Sequence, residues 1–310
     1  MSSTLKNVSD VTYKARGVIP AVFTPMNNDN TVNVKVIPKY AEYLTKNGVT
    51  GVLVGGTASQ HMCLSVIDRK RVIEEWVKAS KGKLHIMAQV GGAPMADVLD
   101  LTQHYSGIGV DSILTLPELY FRPNDVTDLV DYVVEVAKLA PNLPILYYHA
   151  PHMTNVSVHM PTFAKAASDR IPNFKGIKFA STDLKEAEQL LRVLKDDQDI
   201  LIAYAEVLAP AALMGIKSTT ANVYNFLPHL ARDILEAVNK QEMENARSLQ
   251  SKLTSAIEAH IPEGAWVAVM RAGTEIVSGI ELGPPLRPVK PITDESKQRI
   301  KQRLTDMGII

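Results

Sequence analysis

The stretch PNFKGIKFAS, residues 172–181, sets Lys178 between Ile177 and Phe179 in an apolar, strand-like run. An ammonium out of water is costly unless it is paired or gives up its proton. Two chemistries fit such a residue. Lys178 is either an inward lysine paired with a carboxylate such as Glu206, or a desolvated amine of lowered pKa that attacks a carbonyl carbon to form a Schiff base. Side chains alternate along a strand, so Phe174, Gly176, Lys178 and Ala180 share one face, and Lys175, Ile177 and Phe179 the other. The preceding run, ILYYHAP, puts Leu146, Tyr148 and Ala150 on one face in the same way. If the two runs are neighbours, the Tyr148 phenol lies one strand spacing, about 5 Å, plus side-chain reach from Lys178. A phenol there can pass protons to and from a substrate hydroxyl. Read alone, Tyr148 is a core tyrosine with a hydrogen-bonded tip.

The elements that must position this pair follow from the apolar pattern. Short apolar runs begin near residues 17, 51, 84, 111, 144, 174, 199 and 218, and each is followed by an amphipathic stretch with short joints. Continuous apolar strands alternating with helices imply a parallel sheet covered on both faces. Eight such units predict a closed (β/α)8 TIM barrel over residues 15–240, in which Lys178 lies at the C-terminal strand ends where barrel active sites form. A doubly wound open sheet is the alternative, but no G-x-G-x-x-G turn follows the first strand. Beyond residue 240 three helical patterns predict a C-terminal helical extension, residues 241–310, packed on the barrel.

Composition excludes several classes. The 310 residues are 46% hydrophobic and 21% charged, with 33 basic and 33 acidic side chains. That balance predicts no nucleic-acid surface and no anionic membrane partner. The opening MSSTLKNVSD lacks the apolar region of a secretory signal, and no apolar run approaches the ~20 residues that span a bilayer. The single cysteine, Cys63, rules out an intrachain disulfide and reads as inert packing in a reducing compartment. The expected location is cytoplasmic. His149 and His152 have no metal-ligand partners at standard spacing and read as loop histidines, so no metal site is expected. The run DRKRVIEEW reads as a solvated helix face, and QVGGAP as a glycine turn.

Several motifs occur together and in order: TPM (24–26), LSVIDRKRVIEEW (64–76), YYHAP (147–151), IPNFKGIKF (171–179), VYNFL (223–227) and VSGIELGPP (277–285). With them the chain resembles the class I pyruvate-dependent aldolases typified by N-acetylneuraminate lyase and dihydrodipicolinate synthase, and within these the animal lyases most closely. The resemblance implies that Lys178 is the Schiff-base lysine and Tyr148 the catalytic tyrosine, with Tyr120 of LYFRP as a supporting tyrosine. It implies a small-molecule 2-oxo acid substrate, no cofactor beyond the covalent imine at Lys178, and a homotetramer.

The binding motifs depart from the family's. Its carboxylate loop, G-[ST]-T-G-E, reads GTASQ here: Thr57 keeps one hydroxyl, and Ala58 lacks the second, which the resemblance assigns as the link to the catalytic tyrosine. Ser59 replaces a glycine, which alters the loop if that glycine used a positive φ, and Gln60 replaces a glutamate. The lyase pattern G-x-D-E reads AYAE, with Ala203, Ala205 and a retained Glu206. Asn222 and Val223 replace a serine and a threonine, and Ala180 stands where bacterial lyases carry threonine. Three readings result: a lyase cleaving N-acetylneuraminate to N-acetylmannosamine and pyruvate, an enzyme on the same scaffold for a less polar carbonyl substrate, and a non-catalytic binding protein.

Overall fold

The computed structural model describes residues 11–310; the opening segment MSSTLKNVSD lies outside them. Eight strands form one sheet: β1 (Gly17–Pro20), β2 (Gly51–Val54), β3 (His85–Val90), β4 (Ser112–Thr115), β5 (Ile145–His149), β6 (Phe174–Phe179), β7 (Asp199–Ile202) and β8 (Ser218–Ala221). Every pairing is parallel and joins consecutive strands, and β1 pairs with β8. A bridge between Ala21 and Leu53, with Val22 N–H donating to the Leu53 carbonyl at 3.0 Å, brings β1 to β2 and closes the circle. The expected TIM barrel is therefore the observed fold.

The apolar runs become strands because both of their faces are covered: every residue of β2, β4, β5, β6 and β7 is buried. The outer layer comprises α1 (Ile37–Lys46), α2 (Val66–Ser80), α3 (Met95–Ile108), α4 (Val126–Leu139), the short α5 (Pro151–Thr154), α6 (Met160–Arg170), α7 (Leu184–Leu191), α8 (Leu208–Leu213) and α9 (Pro228–Asn239). Local chemistry sets where several of these begin. Ser65, Asp125 and Asp183 accept the N–H of Asp68, Asp128 and Glu186, three residues on, satisfying amides that have no partner inside the helix. Proline occupies the first turn of α1, α6 and α9, where a missing N–H costs nothing.

One detail of β6 differs from simple alternation. Ile145 pairs with Phe174, yet Leu146 pairs with Gly176, so Lys175 is an extra residue and β6 carries a bulge. Gly176 absorbs it at φ +147, and a Cβ there would lie 2.0 Å from the Asp199 carbonyl oxygen. The bulge removes Phe174 from the Lys178 face, where alternation alone had put it. Phe174 packs edge-on against Phe163 of α6, and Phe163 against Tyr147, in the strand–helix layer. Lys175 is buried and pairs with Asp197.

The α2 face read as solvated is partly core. Trp76 is fully buried against Tyr40, and buried Arg69 donates from Nε to the His61 carbonyl at 2.8 Å. Beyond the barrel, α10 (Met243–Glu258) packs on α9, followed by α11 (Trp266–Ser278) and α12 (Asp294–Asp306). Arg271 of α11 is buried and donates to the Thr24 carbonyl and the Leu282 carbonyl, both at 2.9 Å, tying α11 to the segment after β1. Among the described residues no helix is long and apolar enough to cross a membrane.

Candidate active site

Tyr148 and Lys178 are register partners on adjacent strands, each one residue from the C-terminal end. Parallel register partners project to the same side, and both therefore face the barrel interior. The Lys178 Nζ lies 3.8 Å from the centroid of the Tyr148 ring, a cation–π distance. Both side chains are buried, Lys178 at 4% exposure and Tyr148 at 6%. Among the described residues Lys178 forms no ion pair, so the pairing with Glu206 considered from sequence does not occur. Glu206 instead lies within electrostatic range of the Tyr204 and Tyr224 phenols.

The loop after β2 completes the constellation. Thr57 Oγ1 is 3.2 Å from the Tyr148 hydroxyl. The hydroxyl link to the tyrosine is thus made by Thr57, so the loss of a hydroxyl at Ala58 does not remove it. The loop turns through Ser59 N–H donating to the Gly56 carbonyl at 3.0 Å and Gln60 N–H donating to the Thr57 carbonyl at 3.1 Å. The Thr57 and Ala58 amides donate to no group among the described residues. Ser59 needs no positive φ; that backbone belongs to Gln60, at φ 50. The Ser59 hydroxyl is buried, donating to the Val22 carbonyl at 2.6 Å and accepting from Gly55 N–H at 3.2 Å, while Thr24 donates to the Ser59 carbonyl at 2.9 Å. The replacement of glycine by serine fastens the loop to the segment after β1.

The other residues singled out from sequence take different places. Ala58, Ala180 and Ala205 are buried at 4%, 4% and 2% exposure, and Ala203 is half-buried. Asn222 is buried, and its carbonyl accepts from Asn225 Nδ2 at 2.7 Å. Tyr120 is not brought to the pair within one chain: its ring is 82% exposed and packs edge-on against Phe121, centroids 5.0 Å apart. The loop after β4 that carries it lies on the surface, and nothing in its composition could have signalled that. Cys63 is exposed, not packed. His149 is a buried strand residue stacked on Phe179 at 5.2 Å, and burial, with His152 nearby, pushes its pKa down to about 4. It is therefore neutral near pH 7, on the outer face away from Lys178.

Sequence reasoning passed over Tyr204, which stands inside AYAE. Its ring lies 5.9 Å from that of His152. Burial first, then the proximity of Glu206 and Tyr148, holds its phenol above the ordinary value. Its electrostatic coupling to Tyr148 is the sign that it borders the site. Also unforeseen is a buried polar group behind the loop, where His61 Nδ1 meets Gln89 Nε2 at 3.5 Å. Burial and the Arg69 charge drive the His61 pKa down to about 3. Among the described residues no three His, Cys, Asp or Glu side chains are grouped as metal ligands.

An amine against a phenol, with a hydroxyl alongside and two unpaired amides in the turn that carries it, is equipped to bind an oxo acid and to move protons around its carbonyl carbon. Comparison with known proteins agrees with that chemistry. Residues 14–307 match the dihydrodipicolinate synthetase family. The N-acetylneuraminate lyase of Mus musculus is 33% identical over 300 residues, which cover 96% of this chain and 94% of the mouse protein. The N-acetylneuraminate lyase of Proteus mirabilis superimposes with a TM-score of 0.91 at 32% identity, covering 96% of this chain and all, 100%, of that one. A Ruminococcus gnavus sialic acid aldolase, solved as a catalytic lysine mutant, gives a TM-score of 0.89 at 25% identity over 94% of this chain and 96% of its own. The chain belongs to the dihydrodipicolinate synthetase family, and it is a Schiff-base aldolase or lyase of that family, related to the N-acetylneuraminate lyases.

Proposed function

We propose that the protein cleaves, or in reverse forms, the C3–C4 bond of a 4-hydroxy-2-oxo acid, with N-acetylneuraminate as the first substrate to test. The single observation that carries this is the Lys178 Nζ resting 3.8 Å over the ring of Tyr148, whose hydroxyl is 3.2 Å from Thr57 Oγ1. The Lys178 amine attacks the C2 ketone, and the carbinolamine takes up a proton from solvent and loses water, giving an iminium. The Tyr148 hydroxyl relays the proton of the C4 hydroxyl, accepting it while handing its own onward to the substrate carboxylate, as the C3–C4 bond breaks, the bonding pair flows to the iminium nitrogen to give an enamine and the aldehyde departs. Protonation at C3 and attack of water on the imine return pyruvate and free Lys178. Thr57 and the Thr57 and Ala58 amides hold the carboxylate. The iminium is itself the electron sink, so the scheme calls on no metal or organic cofactor.

Within this scheme Glu206, Asn222 and Tyr204 meet the polyol end of the substrate. The protein acts in the cytoplasm as a homotetramer, in which the exposed Tyr120 serves a neighbouring subunit's site rather than its own. The test is pyruvate release from N-acetylneuraminate, followed by a coupled assay. A second reading has its own observation. Ala180 and Ala205 are buried at positions where the lyase pattern carries polar side chains, which favours a less polar acceptor aldehyde. Pyruvate release from a less hydroxylated 4-hydroxy-2-oxo acid, and none from N-acetylneuraminate, would select it.

A further inference from the structure

Gln60 ends the turn that carries Thr57, and its side chain is committed to a segment 226 residues away in sequence. Its Nε2 donates to the Leu286 carbonyl and its Oε1 accepts from the Leu286 N–H, both at 2.8 Å. The carboxamide thus pairs with one backbone residue as a neighbouring strand would, using one donor and one acceptor. The residue is 7% exposed and holds φ 50, a left-handed backbone that a non-glycine residue adopts only where surrounding contacts hold it there.

The contacts run onward in both directions. Toward the site, Gln60 N–H donates to the Thr57 carbonyl at 3.1 Å, and Thr57 Oγ1 lies 3.2 Å from the Tyr148 hydroxyl. Away from it, Glu275 Oε1 accepts from the N–H groups of Leu282 and Gly283 at 2.9 and 3.1 Å. The Leu282 carbonyl accepts from Arg271 Nη1 at 2.9 Å and from Met26 N–H at 2.8 Å. Gly283 passes so close to Met26 that a Cβ would sit 2.0 Å from its carbonyl oxygen. The strap 282–286 is therefore anchored to α11 and to the segment after β1 before it reaches Gln60.

We infer that Gln60 is a positioning residue. By gripping the strap, it fixes the turn that presents the Thr57 hydroxyl to Tyr148 and the Thr57 and Ala58 amides to the substrate carboxylate. The inference rests on the 2-oxo acid reading above. Gln60 does not touch the amine, so its loss acts on substrates through their carboxylate.

The experiment measures borohydride trapping at the Lys178 peptide with two probes: pyruvate, which has a carboxylate, and acetaldehyde, which has none. In Gln60→Ala, pyruvate trapping slows about tenfold or more while acetaldehyde trapping stays within about twofold, because only the carboxylate loses its ordered partners. Gln60→Glu keeps an acceptor for the Leu286 N–H but loses the donor to its carbonyl, and falls between wild type and Gln60→Ala. Equal slowing of both probes would mean a merely structural role and would overturn the inference. So would unchanged pyruvate trapping, or a Gln60→Glu variant no better than Gln60→Ala. Wild-type protein that traps acetaldehyde but not pyruvate would instead sink the 2-oxo acid reading, and this role with it.

Discussion

At the scale of single residues, the site divides the labour between an amine and a phenol that share one register position on neighbouring strands. Tyr148→Phe removes only an oxygen. The ring stays beneath Lys178, so imine formation persists, while the proton step loses its acid–base group and cleavage slows about 10²–10⁴-fold. Trapping and turnover measured on the same variant check this, and equal loss of both would contradict it. The pairing was legible because period-two alternation and chain order together bring residues 148 and 178 side by side. The partner of the phenol was not. Thr57 and Ala58 are adjacent in a turn, where alternation has no meaning, and only the three-dimensional course of residues 56–60 shows which hydroxyl reaches Tyr148. The direction of Tyr120 was not legible for a similar reason: a loop side chain has no periodicity to fix it.

At the scale of elements, the strands were readable as apolar runs bounded by turns, because burial on both faces leaves little room for polar residues. The bulge in β6 was not readable. One extra residue changes no hydrophobic count, and its sign is a glycine that other strand irregularities would also explain. It nevertheless sets the orientation of everything before Gly176, and it puts Phe174 in the helix layer while Lys178 stays inside. Gly176→Ala forces a Cβ to 2.0 Å from the Asp199 carbonyl at φ +147, so denaturant unfolding should show a loss of at least about 1–3 kcal/mol. Gly107→Ala on α3, where nothing lies within 4 Å of the added Cβ, should be neutral or stabilising by up to about 1 kcal/mol. Equal effects from the two would refute the strained-bulge account.

At the scale of the whole molecule, contacts between distant segments decide the geometry, and these were the least legible. Nothing in residues 56–60 announces a bond to Leu286, and nothing in α11 announces that Arg271 holds the carbonyl of Thr24. The helical patterns after residue 240 were evident from their periodicity, but how they fasten was not. Glu263 is clasped by Arg299 and Arg303, with N–O distances of 2.7 and 2.8 Å, and the Arg299 hydrogen bond foremost holds its pKa down to about 2. The unfolded carboxylate binds its proton more readily, near 4.5. The contact therefore contributes in full above that value and fades as pH falls toward 2. Urea midpoints of the wild type and Glu263→Gln should differ near pH 6 and converge on acidification; a constant gap would contradict this. The account as a whole turns on Lys178 being a nucleophile rather than a buried counter-charge, and mass analysis after borohydride reduction in the presence of pyruvate tests it most directly. The account predicts one reduced pyruvate adduct per chain, mapped to Lys178 and absent from Lys178→Ala; an unmodified Lys178 peptide with pyruvate would contradict it.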